Sequence, residues 1–325
     1  MSEELSFESR IDFSDLNQKV QLMKEEIGKV VVGQHQFIEQ MIVAVLANGH
    51  VLVEGVPGVA KTLSAKLLAK TIKVDFSRIQ FTPDLMPSDV LGTSVFLPSS
   101  GKFEFNKGPI FSNVVLIDEI NRAPAKTQAA LFEVMEERQV TNDGKTYRFE
   151  YPFLVLATQN PIEQEGTYRL PEAQLDRFLF KIEVGYPELE EEVAILDRQN
   201  KGELSPDVEI TPILNATELN KLRLQIQQVH VENQLLQYIA QIVGGTRKNP
   251  WISLGASPRA SLAILNASKA FAATRGRDFI TPEDIDEMAL PVLRHRILLT
   301  PEKEMEGTSA DTVIKQLIEK TEVPR

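Results

Sequence analysis

With 325 residues, no cysteine and a net charge of −11, the chain excludes disulfide scaffolds, zinc–thiolate centres and cysteine nucleophiles, and its overall field repels nucleic acid. It is long enough for two domains, each with its own core. Residues 1–25 are acidic and mixed rather than basic and then apolar, so no secretion signal is read and a cytoplasmic location is expected. No apolar run approaches the ~20 residues that a bilayer span needs.

In chain order, residues 1–15 form a polar lead-in. From about 16 to 187, apolar strands alternate with helical segments, the pattern of an α/β doubly wound parallel sheet. Val31-Val32-Gly33-Gln34 reads as a turn ahead of a helix over 37–47. The apolar run Val51-Leu52-Val53 leads into Gly55-Val56-Pro57-Gly58-Val59-Ala60-Lys61-Thr62-Leu63. A strand, a glycine-rich turn and Lys-Thr opening a helix form a phosphate-binding loop: backbone N–H groups and the helix dipole face an anion. Lys61 then reaches the β/γ-phosphates, and the Thr62 hydroxyl is a Mg²⁺ ligand. Ala60 stands where the generic motif has glycine.

Residues 84–111 are a turn-rich insertion carrying Phe96, Phe103 and Phe105. Next, Asn113-Val114-Val115-Leu116-Ile117-Asp118-Glu119 is an apolar strand ending in two carboxylates, where ligands of parallel sheets bind. Asp118 completes the Mg²⁺ shell, and Glu119 orients or deprotonates the attacking water. A helix starts at Pro124, with Leu131, Val134 and Met135 on one face, and Asn142-Asp143-Gly144 marks a hairpin over 138–151. A further strand over 153–160 ends at Asn160, whose amide suits fixing that water.

Leu175-Asp176-Arg177-Phe178 follows. Residues 188–200 are an acidic helix and 202–212 a linker, after which the chain reads as an all-α lid. Within it, Ser257 caps a helix with Pro258 at its first position, setting Arg259 in the first turn to grip a phosphate. Thr281 caps another helix that ends near Pro291. The four histidines have no metal-ligand spacing and are read as structural, and Trp251 as packing at a lid edge.

The order of the phosphate loop, Leu-Ile-Asp-Glu-Ile-Asn-Arg-Ala-Pro, Ala-Thr-Gln-Asn-Pro, Leu-Pro-Glu-Ala-Gln-Leu-Asp-Arg-Phe and Gly-Ala-Ser-Pro-Arg-Ala resembles the MoxR family of AAA+ ATPases. The likeness runs from about residue 31 to 297, and it includes Ala60. It implies an AAA+ core over 1–187 and a helical lid with a preceding insert over 188–325. It implies ATP and Mg²⁺ as cofactors, Val31 and Val32 on the adenine side, Asn160 as sensor 1 and Arg259 as sensor 2, acting in its own or a neighbouring subunit. Arg177 is the favoured finger donated to a neighbour, with Arg169 the alternative and Arg122 after it. The two insertions are implied to line a pore or face a partner.

The resemblance further implies a self-assembled ring, a hexamer, that remodels a protein substrate for maturation or metal-cofactor insertion, with a von Willebrand factor A domain partner. A magnesium-chelatase-like motor subunit is the close alternative. A nucleic-acid motor fits the acidic charge poorly, and a non-hydrolysing scaffold conflicts with the intact Glu119.

Overall fold

Strands buried on both sides must be apolar at every position, and the central segments are. In β5 (Val114–Asp118), Val114 and Leu116 join one core while Val115 and Ile117 join the other. The computed structural model describes residues 11–324 except 57, 100, 161–167, 169 and 203–208. Residues 1–10 of the expected lead-in, Pro57, Arg169 and part of the 202–212 linker therefore lie outside the described residues.

Among the described residues, β1 (His50–Gly55), β2 (Phe76–Gln80), β5, β8 (Leu154–Gln159) and β9 (Phe178–Val184) form a parallel sheet in the order β2-β5-β8-β1-β9. On one face lie α1 (Ser14–Gly28), α2 (His35–Leu46) and α3 (Lys61–Ile72). On the other lies α5 (Ala125–Glu137), which buries Leu131, Phe132, Val134 and Met135 as its spacing predicts.

Both expected insertions fold as hairpins. After the short α4 (Pro87–Leu91), β3 (Gly92–Leu97) pairs antiparallel with β4 (Lys102–Lys107). β6 (Gln139–Asn142) pairs with β7 (Lys145–Arg148) through a two-residue turn in which Asp143 and Gly144 both have positive φ, the geometry the Asn-Asp-Gly signal calls for. The hairpins touch: Asn142 Nδ2 donates to Ser94 Oγ at 2.6 Å, Ser94 donates to Asp143, and the Phe105 and Tyr147 rings lie 4.6 Å apart.

After α6 (Glu172–Leu175) and β9 comes α7 (Leu189–Asn200), then α8 (Ala216–Ile226), α9 (Asn233–Thr246), β10 (Ile252–Leu254), α10 (Pro258–Thr274), α11 (Pro282–Leu293), β11 (Leu298–Leu299), α12 (Pro301–Met305) and α13 (Ala310–Lys320). The lid is helical as expected, with a short antiparallel ladder of β10 and β11 added to it. As expected, α11 ends near Pro291, which sits in its last turn before Leu293. Among the described residues the lid has no core of its own, against the expectation of one per domain, since Ile264, Ile285, Val292 and Val313 continue the core that covers α1–α3. Trp251 lies at the lid edge, with Lys303 Nζ 4.8 Å and Lys320 Nζ 5.7 Å from its ring.

The lid is stitched to the exposed edge of the sheet. An edge strand offers unpaired carbonyls, and Arg296 spends its fork on them. Its Nη2 donates to Asp176 O and Phe178 O and its Nη1 to Leu179 O, while Nε pairs with Asp176 Oδ1 at 2.7 Å. His295 Nε2 lies 3.0 Å from Phe178 O, and Arg294 Nη1 donates to Lys181 O.

Candidate nucleotide site

The carboxyl ends of β1, β5 and β8 open onto one cleft lined by Gly55, Gly58, Lys61, Thr62, Arg78, Gln80, Asp118, Glu119, Thr158 and Asn160. This is where a parallel sheet binds ligands. The loop after β1 is anchored by its apolar side chains: Val59 is buried, and Val56, Ala60 and Leu63 pack on the core. Gly58 has φ +86°, a backbone conformation that only glycine adopts without strain. Ala60 precedes α3 with φ 57°, in left-handed backbone that a Cβ makes costly. Lys61 Nζ donates to Gly55 O at 2.6 Å. Burial lowers the Lys61 pKa, and the Asp118 and Glu119 carboxylates oppose that shift.

At the end of β5, Asp118 Oδ1 accepts from Thr158 Oγ1 at 3.2 Å, and Oδ2 pairs with Arg78 Nε at 2.6 Å. Glu119 has φ 57°, and its N–H donates to Thr158 Oγ1 at 3.0 Å. Its Oε2 accepts from Gln80 Nε2 at 2.9 Å and from Arg122 Nη1 at 2.8 Å. Thr62 and Asp118 supply a hydroxyl and a carboxylate to the same cleft. Such hard oxygen donors fit Mg²⁺.

Val31 is buried, and Val32 is partly exposed at the turn before α2. At Gly33 the Glu191 carboxylate of α7 packs so closely that an added Cβ would lie 2.5 Å from it. Arg198 Nη1 of α7 donates to Gly28 O at 2.8 Å, so the insert helix flanks this turn.

The two expected arginines, Arg177 and Arg259, are not among the residues that line this cleft. They meet elsewhere: Arg259 Nη2 lies 2.9 Å from Glu136 Oε1, and Arg177 Nε 3.1 Å from Glu136 Oε2, at the end of α5. Ser257 caps α10 as expected, its Oγ accepting from Arg259 N, and it also donates to Asp176 Oδ2 at 3.0 Å. That bond ties the residue before Arg177 to the residue two before Arg259.

Sequence reasoning missed Arg78, Gln80, Thr158, Glu136 and Arg296. Two of these left a local signal: Arg78 and Gln80 alternate with Ile79 on a strand, which puts both on one face.

A model of the "ATPase family associated with various cellular activities (AAA)" matches residues 50–180, and one of the "AAA lid domain" matches 244–317. The fold and the cleft therefore belong to an AAA+ ATPase: an α/β P-loop core followed by a helical lid. Chaperone MoxR1 of Mycobacterium tuberculosis is 46% identical, covering 92% of this chain and 81% of its own length. Protein MoxR of Methylorubrum extorquens is 30% identical, covering 87% and 88%. A crystal structure from Cytophaga hutchinsonii superposes with a TM-score of 0.87 at 43% identity, covering 95% and 96% of the two chains. The chain belongs to the MoxR family of AAA+ ATPases. No helix among its described residues is long and apolar enough to cross a membrane.

Proposed function

We propose that the protein hydrolyses ATP to ADP and phosphate, with residues 1–187 as nucleotide-binding core and 188–325 as lid and insert, and that it uses the energy to remodel a protein. The observation that carries this reading is the convergence of Lys61, Thr62, Asp118, Glu119 and Asn160 on one cleft. Residues 55–63 cradle the phosphates, with Lys61 turning from Gly55 O to the β/γ oxygens, and Val31 and Val32 face the base. Thr62 and Asp118 would hold Mg²⁺, which would offset the negative charge of the phosphates. Glu119 takes the proton of the attacking water, which Asn160 orients.

Arg177 and Arg259 share a face away from the cleft, which supports a role for both at a neighbour's nucleotide in a ring, a hexamer in the proposed form. An arginine of this kind contributes ~10³–10⁵ in rate in P-loop enzymes. Outside the cleft, the hairpin pair exposes Phe96 and Phe103, at 50% and 70%, as an apolar grip for a protein substrate. The name of the Mycobacterium tuberculosis relative supports the chaperone reading. A von Willebrand factor A domain partner, a part in metal-cofactor insertion and a cytoplasmic location belong to the same proposal.

The test is a pair of variants measured for nucleotide binding and phosphate release. Glu119→Gln is expected to keep binding and lose nearly all turnover, because the amide keeps the shape but cannot take a proton. Lys61→Ala is expected to weaken binding itself. Near-normal turnover in Glu119→Gln removes Glu119 from the chemistry.

A further inference from the structure

β2 and β5 run side by side with Arg78 opposite Leu116 and Gln80 opposite Asp118. Residues two apart on a strand share a face, so both polar side chains of β2 reach the carboxylates that end β5. Gln80 takes Glu119, and Arg78 takes Asp118 through Nε and Oδ2 at 2.6 Å. Thr158 already donates to the other oxygen of Asp118. The carboxylate assigned to Mg²⁺ thus has a cation on one oxygen and a hydroxyl on the other.

We infer that Arg78 is a resident counter-cation of Asp118, competing with Mg²⁺ for that carboxylate and passing to the phosphates of the nucleotide when the metal takes it. The inference rests on the reading of this cleft as a Mg²⁺–nucleotide site. Three observations support it. Two cations on one carboxylate repel each other, and a guanidinium hydrogen-bonded to Oδ2 takes up an acceptor site there that a hydrated ion would otherwise use. The Arg78 side chain is 53% exposed, and besides Asp118 it donates through Nη2 only a long, 3.5 Å bond to Gln80 Oε1 among the contacts of the described residues. It lines the same cleft as Gly58, Lys61 and Thr62, the loop residues assigned to the phosphates. Arg78 acts here as a positioning residue that keeps two adjacent carboxylates from repelling the incoming nucleotide.

Charge bookkeeping gives the proposal a signature that structural damage does not share. Removing the arginine leaves the site one unit more negative, which favours the metal and disfavours a metal-free nucleotide. The full-length chain is titrated with N-methylanthraniloyl-ADP, once in EDTA and once at increasing MgCl₂, so no turnover is read. Arg78→Gln is expected to lower the Mg²⁺ midpoint about three- to tenfold and to weaken binding in EDTA by a similar factor. Arg78→Lys, which keeps the charge, should stay within about twofold of the parent on both axes. Arg78→Met, which keeps the aliphatic stem, is measured alongside and should move as Arg78→Gln does.

A Mg²⁺ midpoint that is unmoved or raised in Arg78→Gln and Arg78→Met overturns the proposal, as does a parallel loss of both affinities. If the parent chain itself binds the probe under neither condition, the nucleotide reading falls, and that result is separate from any shift among the variants.

Discussion

His50 shows how a single buried group ties stability to pH. Its Nδ1 accepts from Val155 N at 3.0 Å and its Nε2 lies 3.1 Å from Met135 O, which fixes a neutral ring with the proton on Nε2. Burial first, and the nearby Arg138 second, push its pKa down to about 3. The sign follows directly. Below about pH 6.5 the unfolded chain takes up a proton that the folded chain refuses, so stability is full above that pH and falls as the pH drops towards 3. The slope from one such group approaches about 1.4 kcal/mol per pH unit. His295, held well below its usual value by burial and by Arg296, adds to the slope. His50→Gln can keep both hydrogen bonds without ever charging. Urea midpoints measured between pH 7 and 5 should therefore fall less steeply in His50→Gln than in the parent chain. An unchanged slope would place the acid sensitivity elsewhere.

At the scale of elements, the two hairpins act as one body because their rings interlock. Phe105 lies 4.6 Å from Tyr147 with the rings tilted, and Phe111 stacks at 4.7 Å on Phe149, which in turn lies 4.4 Å from Phe153 at the foot of β8. Aromatic pairs of this kind contribute about 0.5–1.5 kcal/mol beyond the area they bury. Tyr147→Ala should therefore loosen β3 and β4 while leaving the sheet intact. Amide exchange across residues 92–107 is expected to speed up by several-fold, with exchange in β5 and β8 unchanged. Faster exchange confined to 139–148 would show the hairpins to be independent.

For the whole molecule, the shared partner of Arg177 and Arg259 matters most. Both guanidiniums converge on Glu136, and a side-chain bond from Ser257 to Asp176 links the segments that carry them. An arginine that serves a neighbour's nucleotide is inactive in isolation but separable from the site that it serves. Arg177→Ala subunits are expected to be inactive alone and to regain part of their ATPase rate when mixed with Lys61→Ala subunits, because one mixed interface pairs an intact Arg177 with an intact Lys61. Arg259→Ala should complement in the same way, as the two arginines share a face. Light scattering must confirm that the mixed subunits assemble. If Arg177→Ala keeps its own rate and Arg169→Ala is the variant that complements, the finger is Arg169.

The apolar runs, the glycine-rich loop and the residues at strand ends are local patterns, and local patterns were enough for the parallel sheet, the hairpin at Asn142-Asp143-Gly144 and the cleft that gathers Lys61, Thr62, Asp118, Glu119 and Asn160. A strand end fixes where its last residue points whatever the rest of the chain does. The partners of those residues were not legible. Arg78 reaches Asp118 from a strand 40 residues earlier, Arg296 reaches Asp176 from 120 residues later, and Glu136 lies 123 residues from Arg259. Only packing decides such meetings, because a long charged side chain carries no periodicity that names its counterion. For the same reason the sequence left open which nucleotide Arg259 serves, and only the docking of the lid set it beside Arg177 on Glu136.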